Sequence, residues 1–544
     1  MQNKGNSDKN FEDLFWADQL AKQIISREKF HYLEKKIKKF DEYTVKTSAS
    51  LSGVLHIGRL SDTIRGESVV IALKDAGVKI RFIWVAENMD PLRKVPKNVP
   101  SNFEKYIGVP VTDIPDVEKC HGSYAEHHTE EYFKVIDEFV VTKMEKFSMR
   151  DEYKKGHFNP FIKKILEKID EVREIQNKYR TNHLKKNWSP WTPICQNCGK
   201  IVTTHVINFE NDIVNYVCRD YEFETTTAKG CGFKGENNPL KGNGKLLWKS
   251  EWAAQWARWQ VVSEGAGKEY HVPNSAWWIN GEIAEKVLDF PMPVPLFYEH
   301  IMIDNQKMSA SVGNVVYPKD WLEVAPAELL RMFYNKRLMT TRSFSWKDLP
   351  NLYDEYDYMA KVYLGDAKLE NKKEESHYRR LFKVSHGKEI EKPVELSFSH
   401  ASVIAQAFPS EEDAIKSMEK TGHYNKEMHE RIFERLRKAK IWLRKYAPDD
   451  VKFEVQKHVP KNIELGAKEK KALHEIAKLL KEKEYDEKTL FNEFYNISKE
   501  LDLKPQDFFK SAYKVLLNKE RGPKLAPFIL ALGKEKVAKL FEGV

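Results

Sequence analysis

Cysteine is scarce in this chain, long apolar runs are missing, and neither sign of charge dominates. Five cysteines in 544 residues are too few for a disulfide framework and point instead to metal ligation or buried thiols. No run of about 18 apolar residues occurs, so no membrane-spanning helix is expected. Met1 to Asn10 is polar and lacks the apolar segment of a signal peptide, which sets the expectation of a soluble, cytoplasmic protein. The 90 basic and 81 acidic side chains leave a formal charge of +9, a bias compatible with a polyanionic partner but not diagnostic of one. With 41% hydrophobic and 31% charged residues the chain is globular. It is too long for one hydrophobic core, and about two to four domains are expected.

What is present is organised around Ser52-Gly-Val-Leu-His-Ile-Gly-Arg59. Tyr43-Thr-Val-Lys-Thr before it reads as a strand, and Leu60, Ile64, Val69, Ala72 and Leu73 after it fall at helical spacing. His56 and Gly58 thus open a helix directly after a strand. The free N–H groups of a helix start suit a phosphate, and Gly58 leaves room for a flat group against the backbone. His56 is placed to donate a hydrogen bond to a phosphate oxygen as charge grows on it. Read alone, the stretch fits an ordinary helix start with a surface His equally well.

Phe11 to Phe40 has an amphipathic, helical pattern. Gly77 stops the first long helix, and Ile80-Arg-Phe-Ile-Trp-Val-Ala is a second strand. Strand, helix, strand at this spacing is a βαβ unit and implies a parallel sheet, with ligands beyond the carboxyl ends of its strands. His56 and the segment Glu87 to Asp90 belong there.

Beyond a proline-punctuated stretch come Asp116, Cys120, His121, His127 and His128. Asp116, Cys120, His121 and His127 make a compact tetrahedral zinc set; the alternative is a polar loop with incidental histidines. Glu130 to Tyr179 reads as amphipathic helix, in two pieces. Cys195-Gln-Asn-Cys198-Gly199 then forms a knuckle, which Cys218 and Cys231 complete as a structural four-thiolate site; buried thiols are the alternative. Val202, Val206, Phe209, Val214 and Tyr216 between them describe a small β-ribbon.

From Lys245 the sheet is expected to resume, with Leu246-Leu247-Trp248 leading to a Trp-rich helix from Glu251 to Val262. Trp252, Trp256 and Trp259 share one helical face and read as core. Phe297 to Ile303 reads as a strand ending in Lys307-Met-Ser309-Ala-Ser311, where a mobile charge and short hydroxyl donors suit phosphates.

The pairing of His56-Ile-Gly58-Arg59 with Lys307-Met-Ser309-Ala-Ser311, in that order and both at strand ends, resembles the two signatures of class I aminoacyl-tRNA synthetases. Arg59 stands where a second His is usual. Trp84-Val-Ala-Glu-Asn-Met-Asp-Pro-Leu-Arg-Lys, Trp188-Ser-Pro-Trp-Thr-Pro, Lys245-Leu-Leu-Trp248 and Gly265-Ala-Gly-Lys-Glu-Tyr-His271 narrow the resemblance to the archaeal-type class I lysyl enzymes, over about residues 40 to 345 and more loosely beyond. The resemblance implies ligation of lysine to tRNA(Lys) at the expense of ATP with Mg2+. It also implies catalysis by His56 and Lys307, and an ATP site shaped by Gly58, Arg59, Ser309 and Ser311. Lysine would be held by Ser50, Trp248, His271 and Tyr298, and structural Zn2+ would occupy one or both ligand sets.

An ammonium on four methylenes needs an aromatic wall and acceptors. Trp252 rivals Trp248 for the wall, while Glu87, Asp90 and Glu299 are the acidic candidates by position. From Trp346 on the pattern is helical, with apolar stripes Leu473, Ile476, Leu479, Leu480 and Leu490, Phe491, Phe494, Ile497. Basic residues recur on the opposite faces, as expected of solvated helices or of a tRNA-binding surface. Asp507-Phe-Phe and the Glu520 to Ile529 segment resemble the close of helical anticodon domains in the lysyl and glutamyl enzymes.

The expected fold is therefore an α/β Rossmann-type catalytic domain with a zinc-binding insertion, followed by an all-α anticodon-binding domain. Its divisions are an N-terminal helical segment (1–40), the two catalytic halves (41–115 and 245–345), the insertion (116–244) and the helical domain (346–544). No insertion is large enough to be an obvious editing domain. A class I enzyme for another amino acid, such as glutamate, would want arginines around the side chain. A non-catalytic zinc-containing RNA-binding protein would lack amino-acid-dependent exchange of pyrophosphate into ATP.

Overall fold

The computed structural model of the protein describes residues 14–50, 56–96, 99–308, 314–387 and 390–544. The first described helix, α1 (Trp16–Ser26), is followed by strand β1 (Tyr43–Ser50), helix α2 (Ile57–Asp75) and strand β2 (Ile80–Glu87). Helix α3 (Tyr124–Phe139) leads to the short strand β3 (Glu145–Ser148). Helix α4 (Trp248–Trp259), strand β4 (Val261–Gly267), helix α5 (Ala276–Lys286) and strand β5 (Val294–Tyr298) complete the layer. The sheet has five strands in the order β5-β4-β1-β2-β3, and each pairing is parallel. Strand order reverses between β1 and β4, so the crevice beyond their carboxyl ends is the expected ligand site of such a sheet.

Burial on both faces explains the apolar run of β2, where Phe82 to Ala86 are all buried. Helix α2 is buried nearly all round, although it carries Asp62, Arg65 and Glu67. Two of these charged groups are bonded to neighbouring segments: Arg65 donates to the Tyr334 carbonyl at 3.2 Å, and Glu67 accepts from the Val141 and Thr142 amides at 2.8 and 2.7 Å. Arg331 pairs with Glu67 at 3.2 Å.

Several expectations are corrected. Helix α1 stops at Ser26, and residues 27–40 are not helical as the pattern implied. Buried Glu285 captures the chain here, accepting from the His31 and Tyr32 amides at 2.8 and 2.5 Å and pairing with Arg27 at 3.3 Å. These bonds replace the intrahelical ones that further turns would need. The insertion contributes β3 to the main sheet, and where two helices were expected over Glu130 to Tyr179 the chain forms four shorter or offset ones, Tyr124–Phe139, Met149–Lys154, Asn159–Glu167 and Ile169–Asn177. Gly244–Leu246 pairs with Trp191–Pro193 in a separate ribbon rather than resuming the sheet, while β4, with two glycines, takes the place beside β1. The strand expected over Phe297–Ile303 is two: β5 in the sheet, and Ile301–Ile303, which forms a hairpin with Gln306–Lys307.

The chain divides into two compact units. One comprises Met1–Lys319, Leu330–Ser343 and Glu370–Glu389; the other comprises Asp320–Leu329, Phe344–Leu369 and Ile390–Val544. The helix Lys372–His386 belongs to the first, where Arg380 grips Asp18 and Asp75. In the second, helices Ala467–Glu482, Glu487–Glu500, Pro505–Leu517 and Lys534–Glu542 share a core of Leu473, Ile476, Leu490, Phe494, Phe508 and Phe541. Phe491, expected in that stripe, is instead 45% exposed. No described helix is long and apolar enough to cross a membrane.

Candidate active site

His56 is the N-cap of α2 in extended conformation, and its side chain makes no capping bond. The ring is left free for other work, and its buried Nδ1 has no hydrogen-bond partner among the described residues. Burial, with Arg59 adding to it, lowers the imidazole pKa to about 4, so the ring is neutral at neutral pH and able to donate a hydrogen bond. The Ile57 amide donates to the Val316 carbonyl at 2.9 Å, and the Tyr334 hydroxyl donates to the Ile57 carbonyl at 2.7 Å. The start of α2 is thereby tied to the chain just after the lysine loop. Arg59 reaches back from the helix and donates to the carbonyl of Ser50, at the end of β1.

Lys307 lies opposite Met302 in the short hairpin and is exposed, with no ion pair to a described residue. Its neighbour Met308 is buried and meets Gly58, so the two segments converge although about 250 residues separate them. Ser309 and Ser311 lie outside the described residues.

The crevice between β1 and β4 holds a dense charge network. The Ser50 hydroxyl donates to Asp90 at 2.9 Å, and Lys245 reaches both Asp90 at 3.4 Å and buried Glu251 at 3.0 Å. Burial disfavours the charge on Lys245, but Glu251, Asp90 and Glu87 outweigh it and hold the ammonium above its ordinary pKa. Deeper, Lys46 pairs with Glu264 at 2.6 Å and lies 3.8 Å from Glu87. Glu264 also accepts from the Trp252 and Trp256 indoles at 2.9 and 2.6 Å. Burial pushes the Glu87 carboxyl up to about 8, against the pull of Lys46; one of its oxygens takes a hydrogen bond from Gln255 at 3.1 Å and the other takes none.

Aromatic groups line the same region. Trp248 is half-buried and stacks on buried Trp252, centroids 4.7 Å apart and planes at 22°. The two candidates for the wall are therefore one stacked pair, with Trp248 outermost. Tyr298 closes β5 opposite Gly267, and the Arg65 guanidinium lies 4.7 Å from its ring. A Cβ at Gly265 would run into the Asp62 carboxylate and come within 3.2 Å of Tyr298, so only glycine lets these two side chains meet over β4. Asp62 is pushed up to about 7 by burial and by Glu264. His271 is exposed after the turn that ends β4 and packs on Phe297, its ring 5.1 Å away, without a bond to Ser50, Trp248 or Tyr298. Glu299 is already paired with Lys268 at 2.9 Å.

Sequence reasoning missed Lys46, Asp62, Lys245, Glu251 and Glu264. The available signal was Lys46 itself, a charge within a strand that a parallel sheet buries on both faces.

Both ligand sets converge. Asp116, Cys120, His121 and His127 each bring one ligand atom within 4.8 Å of the others. Cys120 Sγ lies 3.0 Å from His121 Nδ1, 3.2 Å from His127 Nδ1 and 3.2 Å from Asp116. Glu130 and Glu131 face the far nitrogens of His121 and His127 at 3.1 and 3.7 Å, the arrangement in which outer carboxylates orient imidazoles for a metal. Cys195, Cys198, Cys218 and Cys231 form the second cluster, with Sγ separations of 3.7 Å for Cys195–Cys231 and 3.6 Å for Cys198–Cys218. Such spacings suit a tetrahedral zinc with bonds of about 2.3 Å to sulfur.

The chain is similar over nearly its whole length to proteins named lysine–tRNA ligase. That of Thermococcus kodakarensis is 33% identical, covering 96% of this chain and 98% of its own. That of Methanosphaera stadtmanae is 29% identical, covering 97% and 98%. Among solved structures, a glutamate tRNA ligase from Elizabethkingia meningosepticum aligns with a TM-score of 0.42 at 11% identity, covering 92% of this chain and 98% of that one. Residues 14–388 match the model of a synthetase family, and by that match the protein belongs to the class I tRNA synthetases (K).

Proposed function

We propose that the protein is a lysine–tRNA ligase. A lysine carboxylate oxygen attacks the α-phosphorus of ATP and pyrophosphate leaves; a hydroxyl of the terminal tRNA adenosine then attacks the lysyl carbonyl and AMP leaves. No protein nucleophile is needed, because positioning and charge lower the barrier. His56, neutral at neutral pH, donates to the α-phosphate, and Lys307 neutralises the departing pyrophosphate, which carries Mg2+ when bound as ATP. Gly58 and Arg59, with Ser309 and Ser311, shape the nucleotide site.

The observation that carries the lysine assignment is the charge balance of the crevice. Among the described residues, the ion pairs of Glu87, Asp90, Glu251 and Glu264 are with the ammonium groups of Lys46 and Lys245. Burial pushes the Glu87 carboxyl up to about 8, and a substrate ammonium beside it would favour its charged form. Glu87 and Asp90 are its counter-charges, Trp248 and Tyr298 the apolar walls, and Ser50 orients Asp90. His271, on the turn that ends β4 and packed on Phe297, would contribute from outside this set. A glutamate enzyme would need the opposite charge here.

Cys195, Cys198, Cys218 and Cys231 would hold one zinc, and Asp116, Cys120, His121 and His127 a second; with four protein ligands each, the ions would serve structure rather than chemistry. The helical residues from 346 on, apart from 370–389, serve as the anticodon-reading part, and the residues around β1 and β4 serve as the catalytic part.

Charging of tRNA with each standard amino acid in turn, with ATP present, tests the reading. Lysine alone is expected to be ligated. Ligation of another amino acid would overturn the specificity, and no ligation, with no amino-acid-dependent pyrophosphate exchange when tRNA is present, would leave an RNA-binding protein.

A further inference from the structure

Phe491 and Tyr495 are each 45% exposed, an unusual state for two large rings on consecutive turns of one helix, Glu487–Glu500. Their centroids are 5.1 Å apart, and half-buried Phe509, from helix Pro505–Leu517, lies 6.4 Å from Phe491 and 6.1 Å from Tyr495. Phe509 is in turn anchored against Phe494 and Phe508 at 5.9 and 5.7 Å. The three rings form a shelf fixed from below by the core and open above.

The surroundings identify what the shelf fits. Lys488, Phe491, Tyr495 and Lys499 recur three and four residues apart and share one face of the helix. Both lysines are exposed, and neither has an ion pair among the described residues. Asn492 and Asn496, also exposed, flank the rings. The stripe carries no aliphatic side chain, which disfavours a folded protein partner needing a contiguous apolar patch. Rings between unpaired cations, edged by amides, match a single-stranded nucleic acid: bases stack on the rings, phosphates meet the lysines and base edges meet the amides.

We propose that Phe491, Tyr495 and Phe509 stack unpaired bases of an RNA loop, with Lys488 and Lys499 at the flanking phosphates. The assignment rests on the reading above that the helical unit binds tRNA, and it names the surface.

Fluorescence anisotropy on the full chain tests it, using a labelled anticodon-arm stem–loop of tRNA(Lys) and the same stem as a blunt duplex. Phe491→Ala and Tyr495→Ala are each expected to weaken loop binding about tenfold, the loss of one stacked base. Tyr495→Phe should bind as the wild type does, and the duplex should not distinguish any of the proteins. In charging assays the tRNA KM should rise while kcat holds. Unchanged loop binding in both alanine variants would overturn the proposal. So would a loss shared equally by the duplex or by Tyr495→Phe, which would mark a structural role, or self-association lost in the variants with RNA binding intact. A wild-type chain that charges no tRNA would instead fail the functional reading itself.

Discussion

Met308 closes over Gly58: a Cβ added at Gly58 would lie 2.7 Å from the Met308 Cε and 2.9 Å from the ring of His56. That contact is where the start of α2 and the lysine loop are held in register. Gly58→Ala therefore displaces His56 or the loop by a few tenths of an ångström or more. The expected outcome is a drop of about a hundredfold in kcat/KM for lysine ligation, with helix content unchanged by circular dichroism.

Lys307→Ala is expected to slow lysyl-adenylate formation by about ten- to a thousandfold, the range for one lost charged contact in a transition state. Because Lys307 is exposed and unpaired among the described residues, its melting temperature should match that of the wild type. Single-turnover kinetics at saturating ATP read the effect, and an unchanged rate would take Lys307 out of the mechanism.

Glu87 gives the site a pH signature. With its carboxyl pushed up to about 8 by burial, it is protonated near neutrality in the free protein, and an arriving ammonium favours the charged form. Lysine binding thus expels a proton, and affinity should rise with pH until it levels above about 8. In the unliganded protein the sign is opposite: the folded state holds the proton more tightly than the unfolded one, so stability contributed by Glu87 falls as pH rises from the ordinary carboxylate range to about 8. Calorimetry in buffers of different ionisation enthalpy measures the released proton, and Glu87→Gln should abolish the release.

The two ligand clusters should hold about two zinc ions per chain by elemental analysis, with Cys198→Ser and Cys120→Ser each removing one. Around the thiolates the buried apolar contacts are few, chiefly Cys195, Tyr216 and Cys218 with Phe233 packed against them. Such a small core needs its metal. Chelation is expected to open this module first, seen as rapid proteolysis within residues 195–231, before the parallel sheet unfolds.

How much of this was legible in the sequence depended on range. The strands β1 and β2 and the start of α2 were readable because a β-branched run, a helical repeat and a glycine stop lie side by side. The cysteines and the Asp116 set were readable because ligand spacing is local chemistry. Strand β4 was not: Glu264, Gly265 and Gly267 contradict strand propensity, and what sustains them is the ion pair from Lys46 and the approach of Asp62. The end of α1 escaped for the same reason, since Glu285, which captures residues 31 and 32, is some 250 positions away. Phe491 looked like core by periodicity alone, and periodicity does not record which side of a stripe has a neighbour. At the site, the two signatures could be read, whereas the carboxylate network around Lys46 and Lys245 exists only once the strands are assembled.

The placement of Lys46 also bears on how the chain is made. It sits in the middle strand, and its partner Glu264 is 218 residues further on. At about 5–20 residues per second on the ribosome, one edge of β1 waits for its neighbour for about ten to forty seconds. An open edge of Thr44, Val45 and Thr47 alone would invite pairing with other nascent chains, and an uncompensated charge at its centre discourages that.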